Sequence, residues 1–216
     1  DHVFFYSSTL FWLLRAPRKD FSHIVAFTDP PLIALIGALG RRLKGWKFVY
    51  VVQDLYPETA HALGILRDGS LYRVLRALNG RALRNAHAVI AVSRSMARRI
   101  EDLLPTGIVK VIPNWTDSRK IAMPKNVTTH RPFRVIYTGN MGLAQEVYLV
   151  IKLLTHFSGH DDVESYFIGG GERRADLTDV ATGGAGNVKV LDYMSKDRLS
   201  AFLAESDIGL VTLSPV

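Results

Sequence analysis

Cysteine is absent from the 216-residue sequence, which excludes disulfide bonds and thiolate metal sites and leaves the redox compartment open. The seven histidines show no ligand spacing such as H-x-x-x-H, so we expect neither a metal site nor a metal cofactor. No apolar run approaches the roughly 18 to 20 residues that a bilayer span requires. The amino terminus lacks the basic segment, apolar core and small-residue cleavage site of a secretory leader. These absences disfavour an exported or membrane-spanning protein, and a cytoplasmic location is expected.

The sequence also lacks the usual ends of a complete protein. It begins with Asp1 rather than Met, and it stops directly after a predicted strand, with no closing helix. We therefore expect a piece of a longer protein that is truncated at both ends.

Acidic residues are scarce in the first half of the chain. Residues 1–120 hold 18 Lys or Arg and 9 Asp or Glu, whereas residues 121–216 hold 9 and 11, within a net charge of +7. The two halves therefore differ as structural units. A basic first half predicts an anionic partner, and nucleic acid, acidic lipid headgroups and phosphorylated substrates all qualify.

Short β-branched runs alternate with longer amphipathic segments, which predicts parallel sheets joined by crossover helices. The periodicity fails in the proline-bracketed polar stretch before Phe133. We predict an α/β protein with an N-terminal Rossmann-like domain over residues 1–122, a linker over 123–132 and a second Rossmann-like domain over 133–216. The predicted strands are His23–Phe27, Lys47–Val52, Ala88–Val92, Val109–Ile112, Phe133–Tyr137, Glu164–Ile168, Val188–Leu191 and Ile208–Leu213.

Local signals also define two helices. Ser93 directly follows a predicted strand and is expected to cap a helix over Arg94–Leu103. Apolar residues recur at helical spacing over Ser70–Ala86, which predicts a helix that buries one face, including Leu71 and Val74, and presents arginines on the other.

The first candidate site is the VVQDLYPE segment, in which Gln53 and Asp54 follow a predicted buried strand. Open α/β sheets bind their ligands at the carboxyl ends of strands. An amide and a carboxylate at this place suit hydrogen bonding to sugar hydroxyls, so both are candidate catalytic residues. The alternative is that Asp54 only accepts backbone N–H bonds in the turn before Pro57.

The second candidate site is the YTGNMGLAQ turn. Gly139 and Gly142 permit positive φ and close backbone approach, and a helix beginning near Gln145 would aim its amides at the loop. A diphosphate fits such a turn. Gly139, Asn140, Gly142 and Gln145 are therefore candidate donor-binding residues, that is, residues that would bind the diphosphate of a donor substrate. Two glycines three residues apart are weak evidence alone, because any strand-to-helix turn can contain them.

The third candidate site is FIGGGERR, in which three glycines follow a strand and two arginines follow the glycines. A guanidinium binds phosphate oxygens through two parallel bonds, so Gly169, Gly171, Arg173 and Arg174 are also candidate donor-binding residues. The spacing G-x-G-x-x-G of the dinucleotide fingerprint is absent. The alternative is that both arginines are simply solvated at the start of a helix.

Two further features have alternative interpretations. The predicted first helix, Phe4–Arg15, carries aromatic residues and a basic flank, which can seat a helix at a membrane interface. Its apolar side can equally be core, and we favour core. Asn114 and Asp117 in VIPNWTD, and Asp207 before the last strand, are interpreted as structural turn residues.

Together these motifs resemble those of bacterial glycosyltransferases of family 4, enzymes of the two-domain GT-B fold that use nucleotide sugars. The resemblance runs from about His23 to Pro215 and is strongest at VVQDLYPE, VIPNWTD and YTGNMG. Its nearest branch builds O-antigen and exopolysaccharide repeats and includes fucosamine-type transferases. The resemblance implies two Rossmann-like parallel-sheet domains that face a cleft, both incomplete in this chain, with the donor diphosphate at the YTGNMG turn.

The chain departs from the family at several positions. The family commonly has His before the Asp, where this chain has Gln53, which can hydrogen-bond but cannot titrate. Leu143 and Ala144 stand where the family often has Arg or Lys, so Arg173 and Arg174 become the candidates for neutralising phosphate.

The implied reaction is a retaining transfer of a sugar from a nucleotide sugar to a lipid-linked or polysaccharide acceptor in cell-surface polysaccharide synthesis. Amides and cations would stabilise the leaving diphosphate while the acceptor hydroxyl attacks from the same face. Domain closure would exclude water. No cofactor is expected, and peripheral contact with the anionic inner face of the membrane is a further expectation.

The resemblance also implies that parts of the site lie outside this sequence. The family's Gly-rich loop is expected before Asp1, and its motif of two Glu separated by seven residues is expected beyond Val216. The fragment alone is therefore expected to be inactive. A basic nucleic-acid-binding module and a nonenzymatic truncated remnant are the alternatives. Nucleic acid is not the expected partner, because neither a helix-turn-helix pattern nor an RNA-binding motif is found.

Overall fold

The computed structural model of the chain describes residues 2–104, 107–121, 132–157, 160–184 and 186–213. The described residues up to Trp115 form one compact unit, and those from Thr116 onward form a second. We call these the first unit and the second unit. This division precedes residue 122, the predicted end of the first domain. Residues 123–131 of the predicted linker lie outside the described part of the chain.

The first unit alternates helices and strands along the chain, as predicted. Its four strands are hydrogen-bonded in the order β1-β2-β3-β4, and every pair is parallel. The elements are α1 (His2–Arg15), β1 (His23–Phe27), α2 (Ala34–Lys44), β2 (Lys47–Val52), α3 (Glu58–Ala62), α4 (Ser70–Arg84), β3 (Ala88–Ala91), α5 (Arg94–Glu101) and β4 (Val109–Val111).

The core of the first unit lies on one face of this sheet. Alternate strand residues on that face pack against α2, α4 and α5, because successive side chains of a strand point to opposite faces. The buried members are Ala26, Phe48, Tyr50, Val52, Val89 and Ala91 from the strands, with Ile33, Ala34, Ala82, Leu83, Ala86, Ala97, Ile100 and Leu104 from helices and their ends.

Helix α4 buries a different part of its surface from the predicted one. Leu71 and Val74 are exposed, whereas Ala82 and Leu83 in its last turns join the core with residues of α2. Asn79 is also buried, and its side-chain oxygen accepts a hydrogen bond from the hydroxyl of Tyr50 at 3.1 Å. The prediction for Leu71 and Val74 was wrong because the tertiary contact of α4 engages its carboxyl-terminal half.

Helix α1 also differs from the favoured interpretation. Leu13 is its one fully buried side chain among residues 2–15, and it packs with Ala16 and Trp46. The apolar side is therefore not core in the described chain. The exposed apolar residues of this helix are Val3, Phe4, Phe5, Leu10, Phe11, Trp12 and Leu14.

The second unit also contains a four-stranded parallel sheet, in the order β7-β6-β5-β8. Its elements are a 3₁₀ turn (Ser118–Lys120), β5 (Phe133–Thr138), α6 (Val147–His156), β6 (Val163–Ile168), α7 (Arg174–Thr182), β7 (Val188–Leu191), α8 (Lys196–Ala204) and β8 (Ile208–Leu210). The predicted parallel-sheet α/β fold of both units is thus confirmed.

Both faces of the second sheet carry a hydrophobic core. On one face, Tyr137 and Phe167 pack with Val147, Val150 and Leu177 of α6 and α7. The opposite face presents a second group of buried strand residues toward α8: Ile136, Tyr166 and Ile168, which pack with Leu199, Phe202 and Leu203. The second sheet is therefore covered on both sides, as parallel sheets usually are.

A charged network links three strands of the second unit. The carboxylate of Glu164 accepts hydrogen bonds from Lys189 at 2.9 Å and from the hydroxyl of Tyr166 at 2.9 Å, and Arg134 lies at 3.4 Å. The bond from Lys189, supported by those from Tyr166 and Arg134, lowers the pKa of Glu164. Asp207 accepts a bond from the backbone N–H of Arg134 at 2.8 Å, as befits a turn residue.

Helix α5 begins directly after its predicted cap. Ser93 caps α5 as predicted, because its hydroxyl accepts a hydrogen bond from the N–H of Met96 at 3.2 Å. No helix within the described ranges is both long and apolar enough to cross a membrane.

Candidate functional site

The predicted loop residues of the first unit lie at the carboxyl edge of its sheet. Thr28 follows β1 and is buried. Its hydroxyl oxygen accepts hydrogen bonds from the backbone N–H groups of Gln53 at 3.1 Å and Asp54 at 3.2 Å. The loops after two neighbouring strands are thus joined by one hydroxyl, and sequence reasoning did not identify Thr28.

The side chains of Gln53 and Asp54 face solvent from this joined edge. The backbone carbonyl of Asp54 accepts from the N–H of Tyr56 at 3.2 Å, which closes the turn. The carboxylate of Asp54 has no hydrogen-bond partner among the described residues. The alternative interpretation was that the carboxylate of Asp54 accepts a backbone N–H bond in this turn. In the structure, the backbone carbonyl of Asp54 accepts that bond instead. The carboxylate is consequently available to a ligand.

The two glycine turns of the second unit are interlocked. Gly139 donates its N–H to the carbonyl of Ile168 at 3.0 Å, and Met141 donates to Gly170 at 2.7 Å. In return, Arg173 donates its N–H to Met141 at 2.8 Å. A Cβ atom at Gly171 would lie 2.5 Å from the Met141 carbonyl oxygen, so this approach requires glycine. The structure therefore brings the second and third candidate sites together.

Asn140 and Gln145 shape the first of these turns. The side-chain oxygen of Gln145 accepts a hydrogen bond from the N–H of Gly142 at 2.9 Å, and the hydroxyl of Tyr137 donates to the carbonyl of Asn140 at 2.7 Å. Burial raises the pKa of Tyr137, which keeps this hydroxyl protonated. Helix α6 begins at Val147, two residues after the predicted start. The side chain of Gln145 thus orders this loop, whereas the sequence predicts that it contacts the ligand.

Arg173 stands beside the interlocked turns with its guanidinium supported from two sides. It donates to the hydroxyl of Tyr148 at 2.8 Å and lies 5.0 Å from the centre of that ring. The carboxylate of Asp176, one turn along α7, is 3.5 Å away. These partners fix the position of a cation that remains partly open to solvent.

Arg174 forms an ion pair with a residue at the carboxyl end of β7. Its guanidinium pairs with Asp192, which follows β7, at 2.7 Å. Neither arginine is simply solvated, so that alternative does not describe the structure. Tyr148 and Asp192 come from other segments of the chain, which is why sequence reasoning missed them, whereas Asp176 lies at the local spacing i, i+3 from Arg173 and could have been found.

Tyr193 is a further residue that sequence reasoning missed. Its ring lies over the glycine turn, so that a Cβ atom at Gly170 would meet it at 3.1 Å. The side chain is nevertheless 68% exposed. An aromatic face next to the phosphate-binding candidates therefore remains open to solvent.

The VIPNWTD segment behaves as the predicted turn. Asp117 accepts hydrogen bonds from the N–H of Arg119 at 3.2 Å and from its guanidinium at 2.9 Å. The bond from the Arg119 side chain lowers the pKa of Asp117. Among the described residues, no three His, Asp or Glu side chains converge into a group that could hold a metal ion.

Two parallel-sheet units with polar and glycine-rich loops at their strand ends define a tandem Rossmann-like α/β protein. The chain belongs to the glycosyl transferase 4-like domain family, whose model matches residues 2–115. Membership of a family 4-like group was predicted and is confirmed. The fucosamine-type branch stays a prediction.

Individual proteins are similar to this chain in sequence or in fold. The chain is 26% identical over 151 residues to the "probable glycosyltransferase WbjE" of Pseudomonas aeruginosa, covering 65% of this chain and 37% of that protein. The crystal structure of HepE from Anabaena in complex with UDP matches with a TM-score of 0.67 at 16% identity, over 93% of this chain and 55% of that one.

A second solved structure gives the same result. Sucrose-phosphate synthase of Thermosynechococcus elongatus matches with a TM-score of 0.66 at 13% identity, over 95% of this chain and 53% of that one. At 16% and 13% identity, the similarity to these two structures shows a shared fold and nothing more. The chain spans only 37% to 55% of the length of these three proteins.

Proposed function

We propose that the protein carrying this chain is a glycosyltransferase that moves a sugar from a nucleotide sugar to an acceptor hydroxyl. Family membership supports the reaction class. One observation carries the assignment of the site: the two glycine turns interlock through backbone hydrogen bonds, with Arg173 and Arg174 at the start of α7 beside them. In this proposal, the second unit binds the donor diphosphate there.

The two arginines supply the charge that the reaction requires. The departing nucleoside diphosphate gains negative charge as the glycosidic bond breaks, and fixed cations stabilise it most when they need not reorganise. Tyr148 and Asp176 position Arg173, and Asp192 positions Arg174. We propose that these guanidinium groups, without a metal or other cofactor, neutralise the diphosphate. Retention of the anomeric configuration is part of the same proposal and rests on the family resemblance.

Tyr193 is proposed to contact the nucleobase. Its exposed ring lies against Gly169 and Gly170, next to the turn that would hold the phosphates. Nucleobases have π-faces that stack on aromatic side chains. A planar base that is attached to a diphosphate at this turn could stack on the exposed face of the Tyr193 ring.

Gln53 and Asp54 are proposed to hydrogen-bond sugar hydroxyls. Both side chains leave the carboxyl edge of the first sheet toward solvent, while their backbone is anchored to Thr28. A rigid backbone with free polar side chains suits recognition of hydroxyl groups. A lipid-linked or polysaccharide acceptor is the proposed substrate.

Contact with an anionic membrane is proposed through α4. Arg73, Arg76 and Arg84 line a shallow groove of about 300 Å³ on this helix. Clustered arginines on an exposed helix face attract anionic lipid headgroups. This surface also explains part of the positive charge of the first half.

Calorimetry on the full protein tests the donor site. UDP and a UDP-sugar should bind, inorganic pyrophosphate should bind more weakly, and Tyr193→Ala should weaken binding of UDP while leaving pyrophosphate unchanged. Absence of binding for a panel of nucleoside diphosphates and their sugars, in a folded protein, would contradict the proposed function. Tighter binding of mixed RNA or DNA than of any nucleotide would favour a nucleic-acid-binding protein.

A further inference from the structure

Three arginines and a glycine form a row along one face of helix α4. The row runs from Arg73 through Arg76 and Gly80 to Arg84, at the spacing that places residues on successive turns of the same face. Together with Leu103, which follows α5, these residues line the groove of about 300 Å³. None of the described lining residues carries a carboxylate. The groove therefore concentrates positive charge with no negative charge in its wall.

Gly80 gives the guanidinium of Arg84 its place in this groove. Gly80 is buried, and a Cβ atom on it would lie 3.2 Å from the Nη1 atom of Arg84. The side chain of Arg84 thus folds back along the helix by one turn and covers Gly80. Glycine in a helix interior is less stable than alanine. At this position, its missing side chain leaves the space that the guanidinium occupies.

Arg76 is oriented from outside the groove. Its Nε atom forms an ion pair with the carboxylate of Glu58, the first residue of α3, at 3.3 Å. This contact uses the Nε atom, and the two terminal nitrogens of Arg76 have no partner among the described residues. Terminal guanidinium nitrogens bind phosphate oxygens through parallel hydrogen bonds. Arg76 is therefore held in position while its binding groups stay free.

The other two arginines are not neutralised. Within the described ranges, the guanidinium groups of Arg73 and Arg84 form neither a hydrogen bond nor an ion pair. Like charges on successive turns of a helix repel each other, and an anion between them replaces that repulsion with attraction. A phosphomonoester has a charge of about −1.5 to −2 at pH 7 and three acceptor oxygens. It therefore matches three converging cations better than a singly charged carboxylate or phosphodiester does.

We propose that the groove of Arg73, Arg76, Gly80 and Arg84 is a binding site for a terminal phosphate group, that is, a phosphomonoester or free phosphate dianion. The inference rests on the part of the proposed function that makes α4 an anion-binding surface, and it names the group that is bound. The phosphate belongs either to a lipid headgroup or to a small soluble molecule, since the groove binds the phosphate itself.

NMR of the full protein, titrated with inorganic phosphate at about pH 8 and about 0.15 M salt, tests the site directly. The amide signal of Gly80 and the Nε–H signals of Arg76 and Arg84 should shift along one saturable curve. The amide signals of Gly139 and Gly169 report on the proposed donor site separately. Shifts at these two glycines with none at Gly80 would overturn the α4 site and leave the donor site in place.

Arg84→Gln should weaken phosphate binding, read at the Gly80 amide, about tenfold or more, because it removes a charged hydrogen-bond donor. Lys19→Gln is the control. Lys19 is exposed in the same unit, lies outside the groove and carries the same charge, so its replacement should leave the affinity unchanged. Equal losses in the two variants would mean that net charge alone attracts phosphate, which overturns the proposal.

Gly80→Ala separates phosphate binding from stability. The Tm should stay unchanged or rise by a few degrees, because alanine favours a helix and the added methyl group meets only the mobile end of Arg84. Phosphate binding should nevertheless weaken, because the methyl group displaces that guanidinium. A Gly80→Ala protein that binds phosphate as tightly as the unchanged protein overturns the proposal.

Vesicles identify the source of the phosphate. Phosphatidic acid carries a phosphomonoester and phosphatidylglycerol a phosphodiester, and the two are compared at equal total surface charge. Tighter binding to phosphatidic acid that is lost in Arg84→Gln supports the site and identifies a lipid ligand. Binding of free phosphate, with no preference between the vesicles, supports the site and identifies a soluble ligand. Equal binding to both vesicles without binding of free phosphate overturns the site and leaves the proposed membrane contact standing.

Discussion

Gly169 and Gly139 meet backbone to backbone, because a Cβ atom on Gly169 would overlap the carbonyl oxygen of Gly139. Gly169 also has a φ of +144°, which other residues rarely adopt. The close approach joins the turn after β5 to the turn after β6. The proposed phosphate site therefore depends on two glycines that contact each other from different strand ends.

Gly169→Ala should destabilise the second unit by about 2 kcal/mol or more, since the added methyl group forces the turns apart and strains the backbone. Denaturant unfolding measures this loss, and calorimetry should show weaker nucleotide binding. Gly186→Ala is the control, because nothing lies within 4 Å of its Cβ position and its φ lies outside the range of +20° to +160°. A Gly169→Ala protein as stable as the Gly186→Ala protein would show that the turns can separate freely.

Arg173→Ala and Arg174→Ala should each weaken donor binding about tenfold, since each removes a charged bond to phosphate oxygens. Isothermal calorimetry with UDP and with pyrophosphate checks this, and both ligands should lose affinity alike. Arg198→Ala, an exposed arginine at the start of α8, is the matched control. Unchanged affinity in the first two variants would remove these arginines from the phosphate site.

Asp54→Asn should reduce the rate of sugar transfer at least tenfold while changing the free energy of unfolding by no more than about 0.5 kcal/mol. The reason is that the carboxylate is exposed and its turn is closed by backbone atoms. Transfer assays and thermal unfolding on the full protein supply the two numbers. Asp68→Asn provides an exposed control in the same unit. Activity and stability falling together at Asp54 would make it a turn residue only.

Glu164→Gln should cost about 1 to 2 kcal/mol of stability at pH 7, because it weakens the bonds from Lys189 and Tyr166. The folded pKa of Glu164 lies below its ordinary value of 4.5. Its contribution is therefore complete at pH values above 4.5 and is lost as the pH falls through the folded pKa. The stability difference between the two proteins should shrink as urea unfolding is repeated from pH 7 toward pH 3. A constant difference would assign the effect to packing.

Arg73→Ala combined with Arg84→Ala should weaken binding to vesicles containing phosphatidylglycerol about tenfold or more, since each basic residue near an anionic surface contributes about 1 kcal/mol. Vesicle sedimentation at two salt concentrations measures this, and the loss should diminish at high salt. The exposed Lys152 and Arg198 of the second unit provide a double-alanine control of equal charge. Equal losses in both double variants would indicate a net-charge effect with no defined surface.

The strands were the most predictable part of the fold. The bounds of β1, β2 and β7 agree with prediction to the residue, because short β-branched runs between polar turns identify buried parallel strands. Strands β3 and β4 end one residue earlier than predicted, where the ladder between them stops. The glycine turns were also located correctly as strand-to-helix connections.

What the sequence did not reveal depends on contacts between distant segments. Leu71 and Val74 have the helical spacing of core residues, yet the neighbour of α4 covers only its other end. Asp192 and Tyr148 carry no local motif, so their bonds to the arginines could be seen only in three dimensions. The same holds for Thr28, whose role exists only because β1 and β2 are adjacent.

The single hydroxyl of Thr28 joins the loop after β1 to the loop after β2, so a change in one loop affects the other. Any residue there that cannot accept two N–H groups releases both Gln53 and Asp54 at once. On the proposal that Gln53 and Asp54 bind sugar hydroxyls, saccharide preference should vary by exchange of the side chains at 53 and 54 while residue 28 keeps an accepting oxygen.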